Sequence, residues 1–84
     1  MSNGKLYVGG LSEAASDSEL RALLRTYGNV EQAYVVRYKR RVKSAGYGFV
    51  ETGSREDALR AIAALDGAMF EDNRLRVFLT ASPA

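Results

Sequence analysis

The chain contains neither cysteine nor histidine. The first absence removes disulfides and thiolate metal sites, and the second removes the commonest general base and metal ligand. Neither a metal nor a cofactor is therefore expected, and an enzymatic role would lack its usual groups. Tryptophan is missing too, and no apolar run comes near the ~18 residues of a membrane span. The start, Met1 to Gly4, has neither the basic nor the apolar region of a secretory signal. The expectation is an intracellular protein that makes no use of membranes. Charge of one sign is also scarce overall: a net +2 is too small for the whole molecule to act as a polycation.

Eighty-four residues are enough for one hydrophobic core and too few for two. With 46% apolar and 26% charged residues the composition is that of a folded domain and not of a disordered tail. The cations are unevenly placed. Arg37, Lys39, Arg40, Arg41 and Lys43 follow one another with no acid between them. Such a run is often only a solvated loop, and it gains meaning if it borders an aromatic surface.

Lys5 to Gly10 reads as a short strand closed by a Gly-Gly pair. Ser16 and Glu19 have the spacing of a capping box, and Leu20, Leu23, Leu24 and Tyr27 form the apolar stripe of the helix it starts, with Gly28 suited to a left-handed stop. Val30 to Tyr38 is β-branched and aromatic and predicts a second strand, Gly46 to Thr52 a third. Ser54 caps a second helix whose buried stripe is Ala58, Ala61, Ile62 and Leu65, ending at Gly67. Glu71 to Arg74 contains an Asp-Asn pair suited to a tight turn, and Leu75 to Thr80 is the last strand. The order βαββαβ, with right-handed crossovers, gives a ferredoxin-like α+β fold: a four-stranded antiparallel sheet of order 4-1-3-2 with two helices on one face. One domain over residues 5–80 is expected, with flexible ends at 1–4 and 81–84.

Side chains alternate across a strand, so charged or glycine neighbours show which way a ring points. Tyr47, Phe49 and Glu51 share one face of the third strand; burying an unpaired Glu51 would be costly, so that face is the open one. The rings could instead fill the core, but flipping this register would bury Glu51 and expose Val50. Burying Leu6 and Val8 turns Tyr7 outward; burying Leu75, Val77 and Leu79 exposes Arg76 and Phe78; burying Ala33 and Val35 leaves Tyr34 outside. An apolar patch of five rings on a soluble domain calls for a partner. Unpaired bases stack on rings and phosphates suit a basic rim, which points to a single-stranded nucleic acid.

Two segments carry a resemblance over residues 5–80. Lys43-Ser44-Ala45-Gly46-Tyr47-Gly48-Phe49-Val50-Glu51 resembles the longer RNP motif of RNA-recognition motifs, and Leu6-Tyr7-Val8-Gly9-Gly10-Leu11 resembles the shorter one, in the Gly-Gly-Leu form of hnRNP-type and Musashi-type proteins. The resemblance implies that Tyr7 and Phe49 each stack under a base and that Tyr47 packs against sugars. It implies an RNA-binding set of Tyr7, Tyr34, Tyr47, Phe49, Phe78, Lys5, Arg76, Lys39, Arg40, Arg41 and Lys43. The partner it implies is single-stranded RNA, with single-stranded DNA as an alternative, and the expectation is a monomer that catalyses nothing. Two departures stand out. Ala45 occupies a position where the family has Arg or Lys, and alternation from Tyr47 would turn it outward, so Ala45→Arg is expected to add a phosphate contact. Thr52 replaces the motif's last aromatic, on the inward side. Gly46 and Gly48 are assigned to backbone geometry and close helix packing.

Two rivals use the same scaffold. A protein-binding domain would recognise a peptide with the sheet or a helix face, but has no need of stacking rings beside phosphate-binding cations. An acylphosphatase-like hydrolase would need an Arg in the loop after the first strand, where Gly9-Gly10-Leu11-Ser12-Glu13 has none.

Overall fold

Alternating apolar residues on the strands and the apolar stripes of two helices meet in one interior in the computed structural model, which describes residues 4–37 and 44–80. The elements are β1 (Lys5–Gly9), α1 (Asp17–Arg25), β2 (Val30–Arg37), β3 (Ser44–Thr52), α2 (Arg55–Leu65), β4 (Met69–Phe70), β5 (Asn73–Arg74) and β6 (Arg76–Leu79). The long strands form an antiparallel sheet of order β2-β3-β1-β6, which is the expected 4-1-3-2.

Leu6 and Val8 of β1, Val35 of β2, Val50 of β3 and Val77 of β6 pack under Leu20 and Leu24 of α1 and Ala58, Ala61 and Leu65 of α2. Both helices therefore cover the same face. Each large side chain buried there stabilises the fold by roughly 1.5–3 kcal/mol. Thr52 is buried among them, and its hydroxyl lies within hydrogen-bond distance of the Ser54 carbonyl at 2.7 Å and the Gly4 carbonyl at 3.1 Å. A threonine here replaces apolar bulk by a tie between the end of β3 and the chain entering β1.

The capping box forms in full: Glu19 N–H donates to Ser16 Oγ and Ser16 N–H to Glu19 Oε1, both at 3.1 Å. Ser54 Oγ accepts from Asp57 N–H at 3.0 Å, while the Asp57 carboxylate accepts from Asn29 N–H at 3.3 Å and from Arg60 at 2.9 Å. This explains a correction at Gly28. The left-handed glycines are Gly10, Gly46 and Gly67, and Gly28 is not among them; α1 ends in a right-handed cap at Thr26. A Cβ on Gly28 would lie 2.5 Å from Asp57 Cγ, so this glycine serves the close passage of the chain against the start of α2.

The residue before β1 is packed as well. Gly4 is buried, its carbonyl accepts from Thr52 N–H at 2.9 Å, and a Cβ there would meet Ala58 Cβ at 2.8 Å. Of the ends expected to be flexible, 1–4 and 81–84, residues 1–3 and 81–84 lie outside the described residues.

The tight turn expected near Asp72-Asn73 is a hairpin of its own. β4 pairs with β5 through Met69↔Arg74 and Phe70↔Asn73, so the central turn residues are Glu71 and Asp72, with φ of 51° and 68°. Positive φ at both places is the type I′ geometry, which Asn-Gly suits and Glu-Asp does not. Asp72→Gly is accordingly expected to stabilise the domain by about 1 kcal/mol, read as a higher denaturant midpoint at unchanged slope.

Candidate nucleic-acid interface

The face opposite the helices carries the rings. Register places Tyr34 opposite Phe49, Phe49 opposite Tyr7, and Tyr7 opposite Phe78, so one row of aromatic side chains crosses β2, β3, β1 and β6. Neighbours along this row have centroids 5.7, 6.1 and 4.6 Å apart. Tyr47, two residues before Phe49 on β3, lies 6.1 Å from Phe49 and 5.6 Å from Tyr7. None of the five belongs to the core cluster, and Phe78 and Tyr34 are 52% and 36% exposed. The outward orientation inferred from Glu51 is the observed one.

Tyr7 has a particular setting. It is tilted only 21° from Phe78 and 26° from Tyr47. Near-parallel rings at such separations overlap with an offset, since two rings edge to edge in one plane could not approach so closely. Phe78 and Tyr47 stand on the strands that flank β1 on opposite sides, so Tyr7 is held between them. Gly9 makes room beneath: a Cβ there would fall 2.6 Å from the Tyr7 hydroxyl oxygen. A base stacking on Tyr7 thus exchanges a ring–ring contact for a ring–base contact. Phe49 is perpendicular to Tyr7 and Tyr47, and the Lys5 ammonium lies 5.2 Å from its ring centroid.

Lys5 faces Glu51 across the β1–β3 ladder, and Arg76 is exposed at the start of β6, opposite Gly9. Lys39, Arg40, Arg41 and Lys43 lie outside the described residues. Arg37, the first cation of the run, is engaged elsewhere. It donates to Asp17 Oδ1 at 3.2 Å and to the Ala15 carbonyl at 3.1 Å, tying the end of β2 to the start of α1. Asp17 also accepts from Val35 N–H at 2.7 Å. That backbone bond, aided by the bond and charge of Arg37 and partly opposed by burial, holds the Asp17 carboxyl below the usual range. A lowered folded-state pKa means that this stability is fully present above the unfolded value, near 4, and is lost as pH falls through the lower folded value. Asp17→Asn is expected to melt below wild type at neutral pH, with the gap narrowing under about pH 4 in paired thermal melts.

The family model for the RNA recognition motif matches residues 6–76. The chain belongs to the RNA recognition motif family. Over 77 residues it is 35% identical to glycine-rich RNA-binding protein 4, mitochondrial, of Arabidopsis thaliana, covering 92% of this chain and 57% of that protein. Among solved structures, the crystal structure of RNA binding protein PG1 superposes with a TM-score of 0.90 at 33% identity, covering 96% of this chain and 98% of that one. A Sex-lethal protein/RNA complex superposes with a TM-score of 0.86 at 31% identity, covering 93% of this chain and 48% of that one. The chain spans between 10% and 57% of the length of the first curated relatives it matches.

Within this RNA recognition motif, one inference about the longer RNP segment is corrected. Register shifts between Val35 and Arg37, which pair with Gly48 and Ser44, so three residues of β3 bulge against one of β2. Gly46 takes φ of 93° there, and its carbonyl accepts from Leu11 N–H at 2.9 Å. The bulge interrupts the alternation between Tyr47 and Ala45, so alternation no longer fixes which way position 45 faces, and the argument that an Arg there must meet a passing strand of RNA loses its basis. Gly46 serves the bulge, as its assignment to backbone geometry implies, and Gly48 packs under Leu20.

Asp66 was missed, because at the end of a helical stripe it reads as an exposed helix terminus. It caps α2, and its Oδ1 accepts from Val77 N–H on β6 at 3.0 Å. Only tertiary pairing brings it to the edge of the ring row.

Proposed function

We propose that residues 5–80 form a monomeric, intracellular module that binds single-stranded RNA across the outer sheet face and catalyses nothing. Bases stack on Tyr7 and Phe49, with Tyr34 and Phe78 extending the platform, while Tyr47 packs against sugars. Lys5 and the loop cations Lys39, Arg40, Arg41 and Lys43 take phosphates, and Arg76 meets the RNA at the β6 end of the row. The observation that carries this reading is the unbroken ring row across all four strands, on the side that neither helix covers. Stacking on such rings contributes ~1–3 kcal/mol per base, whatever the base. Membership in the family and the likeness to a Sex-lethal protein bound to RNA support the same partner. No helix among the described residues is long and apolar enough to cross a membrane.

Fluorescence anisotropy with a labelled random single-stranded RNA tests the reading, with duplex RNA as competitor. Duplex should compete poorly, because paired bases cannot spread over the rings. Absence of binding to any single strand would overturn the proposal. Affinity should also fall with salt, with a log–log slope of about −0.7 per phosphate neutralised. Replacing Arg40 and Arg41 together by Gln is expected to flatten that slope; an unchanged slope would show that the loop does not touch the backbone.

A further inference from the structure

Beyond the ring row, the β6 edge of the sheet holds an open depression of about 550 Å³ lined by Tyr7, Asp66, Arg76, Val77 and Phe78. Its floor is aromatic, and Phe78 is the most exposed of the five rings' well-defined platforms at 52%. Two opposite charges line it without forming an ion pair. The Arg76 guanidinium has no partner among the described residues, and the Asp66 carboxylate has only Val77 N–H on Oδ1, which leaves Oδ2 open.

The geometry points to a guanine-selective subsite at this edge: a base stacked on Phe78, read by Asp66 on its Watson–Crick edge and by Arg76 on its O6/N7 edge. This rests on the RNA reading above and adds base identity to it. The argument is one of complementarity. A guanidinium donates only and a carboxylate accepts only, and Oδ1 keeps a second lone pair beside its bond to Val77, so the base that engages both carboxylate oxygens and the guanidinium fork must show two adjacent donors beside two adjacent acceptors. Guanine does, with N1–H and N2–H₂ on one edge and O6 and N7 on the next. Adenine and cytosine each offer a single donor group, the exocyclic amine, with no second donor beside it, and uracil has one N–H between two carbonyls. In a single strand both edges are accessible, which a duplex would not allow.

Asp66→Asn is the discriminating variant. Asparagine keeps a carbonyl oxygen for Val77 N–H but replaces the second acceptor by a donor, so the fold is preserved and only the reading of the base changes; an unchanged thermal melt and a protected Val77 amide check this. The probes are a uridine oligomer and the same oligomer with one guanosine, adenosine, cytidine or inosine at each interior position in turn. Wild type should bind the best guanosine oligomer on the order of ten-fold more tightly than the all-uridine one, with inosine, which lacks the N2 amino group, losing much of that gain. Asp66→Asn should reduce the preference to under about two-fold while leaving affinity for the uridine oligomer unchanged. Arg76→Gln should lower the guanosine gain by more than it lowers uridine binding. Equal affinity for all oligomers, or a guanosine preference that survives Asp66→Asn, overturns the subsite and leaves the RNA reading standing. Failure of wild type to bind any of them overturns both. An equal loss on every oligomer from Arg76→Gln would make this side chain a phosphate contact and also overturn the assignment.

Discussion

Phe49→Ala lowers affinity for single-stranded RNA by ~1–3 kcal/mol, between about five-fold and 150-fold, and leaves the domain folded. The expectation follows from where the ring stands. Phe49 sits mid-row on the outer face and has no place in the core cluster, so its removal leaves Val50 and Leu6 packed as before. Tyr7→Ala should cost a similar amount, with an added effect on Tyr47 and Phe78, which lose the ring held between them. Anisotropy titration and a circular dichroism melt on the same preparations decide the point. If the melt collapses and the remaining folded protein binds as wild type does, the rings are structural.

The largest expected loss of stability comes from the opposite side of the same strand. Gly48 lies between β2 and α1: a Cβ there would fall 2.4 Å from the Tyr34 carbonyl oxygen and 2.9 Å from Leu20 Cδ2. The first neighbour is sheet backbone and cannot yield without disturbing the β2–β3 ladder. Gly48→Val is therefore expected to cost about 3 kcal/mol, the upper end of overpacking penalties. For a domain of this size that lowers the melting temperature by roughly 15 °C. A shift of less than ~3 °C would mean that α1 can move away from the sheet freely. Because Tyr47 and Phe49 flank this glycine, the folded fraction should still bind RNA, which separates a packing defect from a lost contact.

Period-two and period-3.6 patterns were enough to place the four long strands, both helices and the inner face, because each is a local property of its own segment. Glu51 alone settled the direction of Tyr47 and Phe49. What the pattern could not supply were facts made by chain segments far apart in sequence. Gly28 looks like a helix stop until Asp57 is seen beside it. Arg37 counts as one more loop cation until Asp17 and Ala15 are seen to hold it. The bulge at Gly46 breaks the alternation on which the orientation of Ala45 depended, and neither neighbouring residue announces it. The hairpin of β4 and β5 was hidden because Glu71 and Asp72 take left-handed conformations that their side chains do not favour. Asp66 belongs to the same class: its carboxylate reaches the β6 edge only after the last strand has paired.

The placement of β1 has a kinetic consequence. The first strand made is an interior strand of the sheet, and its partners arrive much later: Leu6 pairs with Val50 on one side and with Leu79 on the other. Neither pairing can form until the intervening chain has closed a long loop, and such non-local contacts slow folding. On a ribosome the stretch from Leu6 to Val8 would remain an unpaired apolar strand while most of the domain is still being synthesised, a state prone to association with other chains. By contrast, β2 and β3 can pair at once as neighbours in sequence, with Asp17 and Arg37 holding α1 against them. The earliest native contacts to form should then be those of α1 with the β2–β3 hairpin, and docking of β1 and β6 should be the late step that completes the ring row. The binding surface would be finished only when the fold is.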